Sequence, residues 1–334
     1  MQTRKIGKSN LNASVLAMGA WAIGGGSWWG ENDDEMSIKS IHKALDSGVN
    51  WVDTAPVYGF GHSEDIVGKA LKGRRDKAIL STKCGLQWYN DKGSKHFSRD
   101  GYDVYRDLSP EGIRRDLEYS LKRLDTDYID VYYTHWQSVE PGFTAIEDTM
   151  NELMKMKKEG KILAIGASNV SVDNLEEYIK YGQLDVIQEK YSILDRRIEK
   201  ELLPFCEANS ITLQTYSPIE QGLLTGKIKA DYEVKPGEVR ENKKWWLPEN
   251  LKLAIEMLSK WEDLTEKYNC TLGNLVIKWT VMQSNSINVL FGARKLHQVE
   301  ENVMADDINL EAADIERMTR DAGEAIEESK KISN

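Results

Sequence analysis

Short apolar runs alternate with stretches of helical period along nearly the whole chain. Val15–Met18, Val49–Val52, Ala78–Ser81, Tyr128–Tyr133, Ile162–Ala167, Leu184–Ile187, Ile211–Thr215 and Ile287–Phe291 read as eight buried strands. Between them the apolar positions fall three and four apart. Ile38, Ile41, Ala44 and Leu45 share one helical face that Gly48 ends. Ser109-Pro110 opens a helix with the stripe Ile113, Leu117, Leu121 and Leu124, and Ile146, Met150, Leu153 and Met154 form another, stopped by Gly160. Such stripes are packing surfaces. Eight strand–helix units predict an α/β fold of the (β/α)8 TIM-barrel type, one domain over 1–334. Arg4–Ser14, with a turn signal at Lys8-Ser9-Asn10, predicts an N-terminal hairpin outside the barrel. The segment 221–250 is too long for an ordinary connection and carries Gly222, Gly226, Pro236, Gly237, Trp245 and Trp246, which predicts a long functional loop at the C-terminal mouth. The polar tail from Gly323 is expected to fray.

Charge and cysteine usage narrow the partners. With 44 Lys and Arg against 54 Asp and Glu, the formal net charge is −10, which speaks against a nucleic-acid or anionic-membrane binder. Any phosphate must meet a few local cations. Cys84, Cys206 and Cys270 are odd in number and contain no CxxC pair, so a reducing compartment fits better than a disulfide framework. The first residues lack the apolar core of a signal peptide, and no apolar run approaches the ~18 residues of a membrane span. A cytoplasmic protein is expected.

The residues that follow the strands are nearly all polar: Gly19-Ala20-Trp21, Asp53, Lys83, His135, Ser168-Asn169, Gln188, Tyr216-Ser217 and Gly292-Ala293-Arg294. In a barrel these positions converge on the C-terminal mouth, where barrel enzymes keep their chemistry. Tyr58 lies five residues beyond Asp53, close enough to fold over that mouth. A free phenol titrates near pH ~10 and an adjacent ammonium lowers that value. Lys83 can supply the charge, Asp53 can hold Lys83, and His135 can orient a carbonyl oxygen, so Tyr58 is the candidate proton donor.

At these residues the chain resembles the aldo-keto reductase superfamily. Gly48-Val-Asn-Trp-Val-Asp53-Thr-Ala-Pro-Val-Tyr58-Gly-Phe-Gly-His62-Ser63-Glu64 is similar to the family's first signature. Gly-Ala-Ser168-Asn169, Tyr216-Ser217-Pro218 and Gln221-Gly-Leu-Leu-Thr-Gly-Lys227 resemble others. The resemblance implies NADPH-dependent reduction of aldehydes and ketones by a tetrad of Asp53, Tyr58, Lys83 and His135. It also implies that Ser168, Asn169 and Gln188 bind the nicotinamide carboxamide and that Tyr216 stacks on its face. Further cofactor positions implied are Ala20, Trp21, Asp53, Ser217, Pro218, Gln221, Gly222, Leu223 and Lys227. Gly292, Arg294, Gln298, Glu301 and Asn302 resemble the adenosine-phosphate segment, where a helix start favours an anion, and Arg294 can fork onto a 2′-phosphate. Lys295 reads as an exposed charge. One departure is Ser192, where the family often has Asn. Within the superfamily, Trp21-Ala22-Ile23-Gly24-Gly25 and Phe291-Gly-Ala-Arg294-Lys295 look closest to the bacterial general-stress and inositol-catabolism reductases, and a monomer is the family's usual state.

Seven tryptophans, Trp21, Trp28, Trp29, Trp88, Trp136, Trp245 and Trp246, fall in loops after strands and could rim a substrate pocket. Trp21 and Trp136, with Tyr58 and His135, are the expected substrate contacts. Gly24-Gly25-Gly26 follows no phosphate-loop pattern and reads as a flexible loop. A Rossmann enzyme lacks its glycine fingerprint here, and a short-chain dehydrogenase lacks its Tyr-to-Lys spacing of four. The five histidines include no HxH or HExxH pair, so no metal is expected. Two alternatives remain: a Schiff-base aldolase acting through Lys83, and a nicotinamide-binding accessory module with little turnover.

Overall fold

The computed structural model describes residues 1–332. Eight parallel strands, Leu16–Gly19, Trp51–Asp53, Ile79–Cys84, Ile129–Thr134, Ile162–Ser168, Val186–Lys190, Thr212–Tyr216 and Ile287–Gly292, close into a barrel in sequence order. The last strand pairs back onto the first, with Val289 opposite Leu16 and Gly292 opposite Gly19. All eight expected strands are present, displaced by at most two residues at most ends and by three at Cys84 and Lys190. Because strand side chains alternate, one set fills the barrel: Ala17, Trp51, Ile79, Val131, Tyr133, Ala164 and Val186 form an inner cluster with Ile6 and Ala13. Those last two flank or belong to the expected N-terminal hairpin, Thr3–Lys5 paired with Asn12–Ser14, which plugs the end of the barrel remote from the polar strand ends.

The helices bury the other face of the strands. Ser109 caps the Pro110–Leu124 helix by accepting from the Gly112 N–H, and Asp125 ends it in the left-handed conformation. Its Ile113, Leu117 and Leu124 are buried, each worth about 1.5–3 kcal/mol relative to exposure. In the helix Ile146–Lys158 the packing stripe is Met150, Leu153 and Met156, whereas Met154, expected on it, is 37% exposed. The tail does not fray where described: Ala312–Ile332 is a continuous helix packed on Pro248–Ser259. Residues 333–334 lie outside the described residues.

An element beyond the barrel is a three-stranded antiparallel sheet of Leu86–Gln87, Ser94–Arg99 and Tyr102–Arg106, inserted after the third barrel strand. Its hairpin turns at Asp100 (φ 49°) and Gly101 (φ 83°), the conformation that an Asp-Gly pair favours in two-residue turns. The long connection after Tyr216 carries 3-10 turns at Glu220–Thr225 and Lys244–Trp246. It ends earlier than the expected residue 250, because Pro248 opens a helix.

Candidate active site

Parallel pairing sets Asp53, the last residue of the second strand, opposite Ser81 of the third. Lys83, two residues on, points the same way. Its Nζ donates to Asp53 Oδ2 at 2.7 Å and to Thr54 O at 2.8 Å, with neither side chain more than 1% exposed. The second carboxylate oxygen of Asp53 accepts from Ser81 Oγ at 2.7 Å and from Gln188 Nε2 at 3.1 Å. Gln188 also donates to Gln214, which donates to Asn288. A buried ion pair survives only when its remaining hydrogen-bonding capacity is met, and this chain of amides meets it.

Tyr58 stands over the pair, its ring centroid 4.9 Å from Lys83 Nζ and 5.7 Å from the His135 ring at 82°. Two glycines fix it there. A Cβ on Gly24 would sit 2.7 Å from the Tyr58 carbonyl carbon, and one on Gly59 (φ 63°) would sit 2.2 Å from Gly24 O. Only bare backbones approach that closely, and the approach brings Trp21 against Tyr58 with centroids 6.1 Å apart. Ser63 and Glu64 act as scaffold: Ser63 Oγ donates to Ala20 O, and Glu64 accepts from Thr82 and Arg123.

Burial, reinforced by the charge of Asp53, pushes the Tyr58 phenol well above its ordinary pKa. Burial pulls the Lys83 ammonium down while Asp53 opposes it. Burial and the positive charge of Lys83 hold His135 well below its usual value. The expectation that Lys83 brings the Tyr58 phenol below its ordinary value is therefore corrected in its net direction: burial, with the charge of Asp53 added, outweighs what the ammonium offers the phenolate. At neutral pH the site holds a protonated phenol, a compensated ion pair and an uncharged imidazole. That set can deliver a proton to an oxygen that gains negative charge.

Tyr58 and His135 open into a cavity of about 920 Å³. Beyond them it is walled by Trp21, Trp28, Val57, Leu86, Phe97 and Trp136 at one end. The other end runs past Gly292 toward Arg294 and is roofed by segments that hold one another. Arg294 Nη1 donates to the carbonyls of Trp29 and Glu31 at 3.1 and 3.3 Å, and Val239 N donates to Trp28 O at 3.2 Å. Arg99 reaches both Ser27 and the carbonyl of Gly237. Lys227 pairs with Glu301 across the cavity rim.

A family model described as the aldo/keto reductase family matches residues 15–321. The chain belongs to that family. The reductase is 48% identical to the NADH-specific methylglyoxal reductase of Escherichia coli (strain K12), over 98% of this chain and 100% of that one. It is 36% identical to the aldo-keto reductase YhdN of Bacillus subtilis (strain 168), over 90% and 87% of the two chains. Among solved structures it superimposes on the glycerol dehydrogenase AKR11B4 from Gluconobacter oxydans with a TM-score of 0.85 at 34% identity, over 96% and 94%. The protein is thus an enzyme, an oxidoreductase that interconverts carbonyl and alcohol groups with a nicotinamide dinucleotide as hydride carrier.

Two observations fit that cofactor to the cavity of the reductase. The Trp29 Nε1 and Gln221 Oε1 atoms are buried along its wall without a hydrogen-bond partner, and buried polar atoms ordinarily have one. A Cβ built on Gly292 meets nothing within 4 Å, so room remains beside the backbone at the polar end. Of the positions the sequence assigns to cofactor, Trp21, Asp53, Ser168, Asn169, Gln188, Tyr216, Ser217 and Pro218 line the cavity. So do Gln221, Gly222, Lys227, Gly292, Arg294, Gln298, Glu301 and Asn302. Ala20 and Leu223 do not: at 1% and 0% exposure their side chains lie in the core. Lys83 is likewise outside the cavity wall and acts from beneath Tyr58.

The aromatic rim is also narrower than the sequence suggests. Trp245 and Trp246 are 4% exposed in the core, and Trp88 packs on Phe60 instead of lining the cavity. Ser192, the departure from the family pattern, donates to buried Glu220 and lies off the cavity. The sequence reading missed Leu86 and Phe97, brought in by the inserted sheet, and the loop cation Arg240. Asp100-Gly101 was the available signal for that sheet.

Proposed function

We propose that this reductase reduces uncharged aldehydes and ketones, aromatic ones most efficiently, using NADPH, with Tyr58 as proton donor. The observation that carries the reading is the protonated Tyr58 phenol held between the Lys83–Asp53 pair and neutral His135 at the head of an aromatic cavity. When bound, the nicotinamide supplies the hydride. His135, kept uncharged, offers a ring N–H to the carbonyl oxygen and sets its direction. Tyr58 gives its proton to that oxygen as negative charge develops there, and the Lys83 ammonium beneath the ring stabilises the phenolate left behind. Asp53 keeps Lys83 in place. Ser168, Asn169 and Gln188 would hold the carboxamide, and Tyr216 supplies a flat wall for the ring. Trp21 and Trp136 contact the substrate, and with Trp28, Val57, Leu86 and Phe97 they make an apolar wall, which favours neutral substrates.

Arg294 is the cation for a 2′-phosphate, with Arg240 close enough to depress its pKa after burial has done so. Gln298, Glu301 and Asn302 flank it. A second reading has support of its own: the Escherichia coli relative is named as NADH-specific, and one Arg294 nitrogen is already engaged by two backbone carbonyls. Another relative, from Schizosaccharomyces pombe, is named with NADP(+). The aldolase alternative is disfavoured by Lys83 itself, which is 0% exposed and ion-paired. The segments Trp21-Ala22-Ile23-Gly24-Gly25 and Phe291-Gly-Ala-Arg294-Lys295 are our ground for placing the chain beside the bacterial general-stress and inositol-catabolism reductases. We take the chain as one barrel domain over 1–334 with 221–250 as its cofactor and substrate loop, acting as a cytoplasmic monomer. No described helix is long and apolar enough to cross a membrane.

The test is oxidation of NADPH and of NADH, followed by nicotinamide absorbance, with glyceraldehyde, methylglyoxal and 4-nitrobenzaldehyde. The reading expects turnover with all three, highest kcat/KM for 4-nitrobenzaldehyde, and NADPH ahead of NADH. Faster turnover with NADH would select the second cofactor reading. Tight cofactor binding without turnover would select the accessory-module alternative.

A further inference from the structure

Next to Gln188 on the sixth barrel strand stands a carboxylate that the proposed reaction does not use. Glu189 is 8% exposed, and no cation lies within ion-pair distance of it among the described residues, since its neighbour Arg197 is paired with Asp195 at 2.7 Å. A buried carboxylate without a cation is costly unless backbone donors meet it. Here the donors belong to one short turn. Val170 N donates to Glu189 Oε1 at 2.7 Å, and the Asn169 N–H, whose bond to Gln188 O is long at 3.4 Å, also faces the carboxylate.

That turn carries Asn169 in the left-handed region at φ 56°, a conformation that a side-chain-bearing residue keeps only when its surroundings hold it. From it the Asn169 amide reaches inward: Nδ2 donates to His135 O at 2.9 Å, and Oδ1 accepts from Tyr216 OH at 3.0 Å. Glu189 thus grips the outside of the turn while Asn169 faces the cavity on the inside. We infer that Glu189 is a positioning residue for the cofactor, fixing the 169–170 turn so that Asn169 presents its amide to the nicotinamide carboxamide. The inference rests on the reading of Asn169 as a carboxamide ligand. Burial pushes the Glu189 carboxyl up to about 7, with the Val170 and Asn169 amides and Arg197 opposing. A neutral amide oxygen would therefore serve nearly as well in its place.

A double-mutant cycle on the intact enzyme tests this, reading the NADPH and NADH dissociation constants by quenching of tryptophan fluorescence. Glu189→Leu leaves the Val170 amide unpartnered and the Asn169 amide with only its long bond to Gln188 O, and should weaken the cofactor about tenfold. Glu189→Gln keeps an acceptor and should stay within about twofold of wild type. On an Asn169→Ala background, Glu189→Leu should add less than about twofold, because coupled residues are non-additive. Should Glu189→Leu fail to fold by circular dichroism, Glu189→Ala takes its place. Unchanged affinity in the Leu or Ala variant would overturn the inference, and so would the same tenfold loss on the Asn169→Ala background, which marks a general structural effect. If Asn169→Ala alone bound cofactor as wild type does, Asn169 would not be a carboxamide ligand and the inference would fall with that reading. The Asn169 single variant separates the two failures.

Discussion

The floor of the cavity and its roof handle charge in opposite ways. On the floor, Lys83 and Asp53 ride on adjacent strands, are 0% and 1% exposed, and bond to each other and to Ser81, Thr54 and Gln188, all on barrel strands or directly after one. On the roof, Lys227 is 59% exposed and meets Glu301 from a different segment, while Arg294 and Arg99 bind backbone carbonyls of loops they do not belong to. Buried pairs lose little to solvent screening, whereas exposed ones contribute little. Chemistry therefore sits where geometry is rigid, and recognition sits where segments can part to admit a cofactor and close behind it.

Removing one member of the floor pair should give the largest effect. Lys83→Met strands the Asp53 charge, so unfolding in urea should show a loss of about 3–5 kcal/mol, together with a fall in turnover of at least ~100-fold. A stable Lys83→Met protein would mean that floor and roof do not differ as described. On the roof, Arg294→Ala should leave stability within ~0.5 kcal/mol but raise the KM for NADPH about tenfold or more, with NADH little affected. Equal loss for both cofactors would remove Arg294 from the 2′-phosphate. Phe97 packs 5.5 Å from Trp28 between inserted sheet and roof. Phe97→Ala should lower kcat/KM for 4-nitrobenzaldehyde relative to glyceraldehyde by about three- to tenfold. No change in that ratio would free the inserted sheet from substrate selection. The smallest effect is an expected constancy: kcat for reduction at saturating cofactor should vary less than about twofold between pH 6 and 8. Tyr58 is pushed above that window by burial and Asp53, and His135 below it by burial and Lys83. A sharp break inside the window would contradict both directions.

The floor was legible from the sequence and the roof largely was not, for a physical reason. Strands buried on both faces are continuous apolar runs, so all eight barrel strands stand out, and the polar residue after each run marks the mouth. The inserted sheet has no such signature: Ser94–Arg99 and Tyr102–Arg106 are largely polar, and only Ser94 and Val104 among their positions are buried. Only the Asp100-Gly101 turn announces it. Loop aromatics are equally mute, since Trp245 and Trp246 in the core and Trp28 and Trp29 on the cavity occur in similar contexts. Ala20 and Leu223 fall within motifs that touch the cavity through their neighbours, and only packing shows that their own side chains turn away. The direction of the Tyr58 shift also needed coordinates, because it depends on how deeply the phenol is buried and on the charge of Asp53 near it.

The central claim is that Tyr58 gives the proton while other residues hold the cofactor. The most direct measurement is Tyr58→Phe, assayed for NADPH-dependent reduction of 4-nitrobenzaldehyde and for NADPH binding by fluorescence quenching on the same preparation. Turnover should fall about 10²–10⁴-fold with the dissociation constant within about twofold of wild type. Turnover near the wild-type rate with normal binding would contradict the account, because the phenol hydroxyl would then not be the acid.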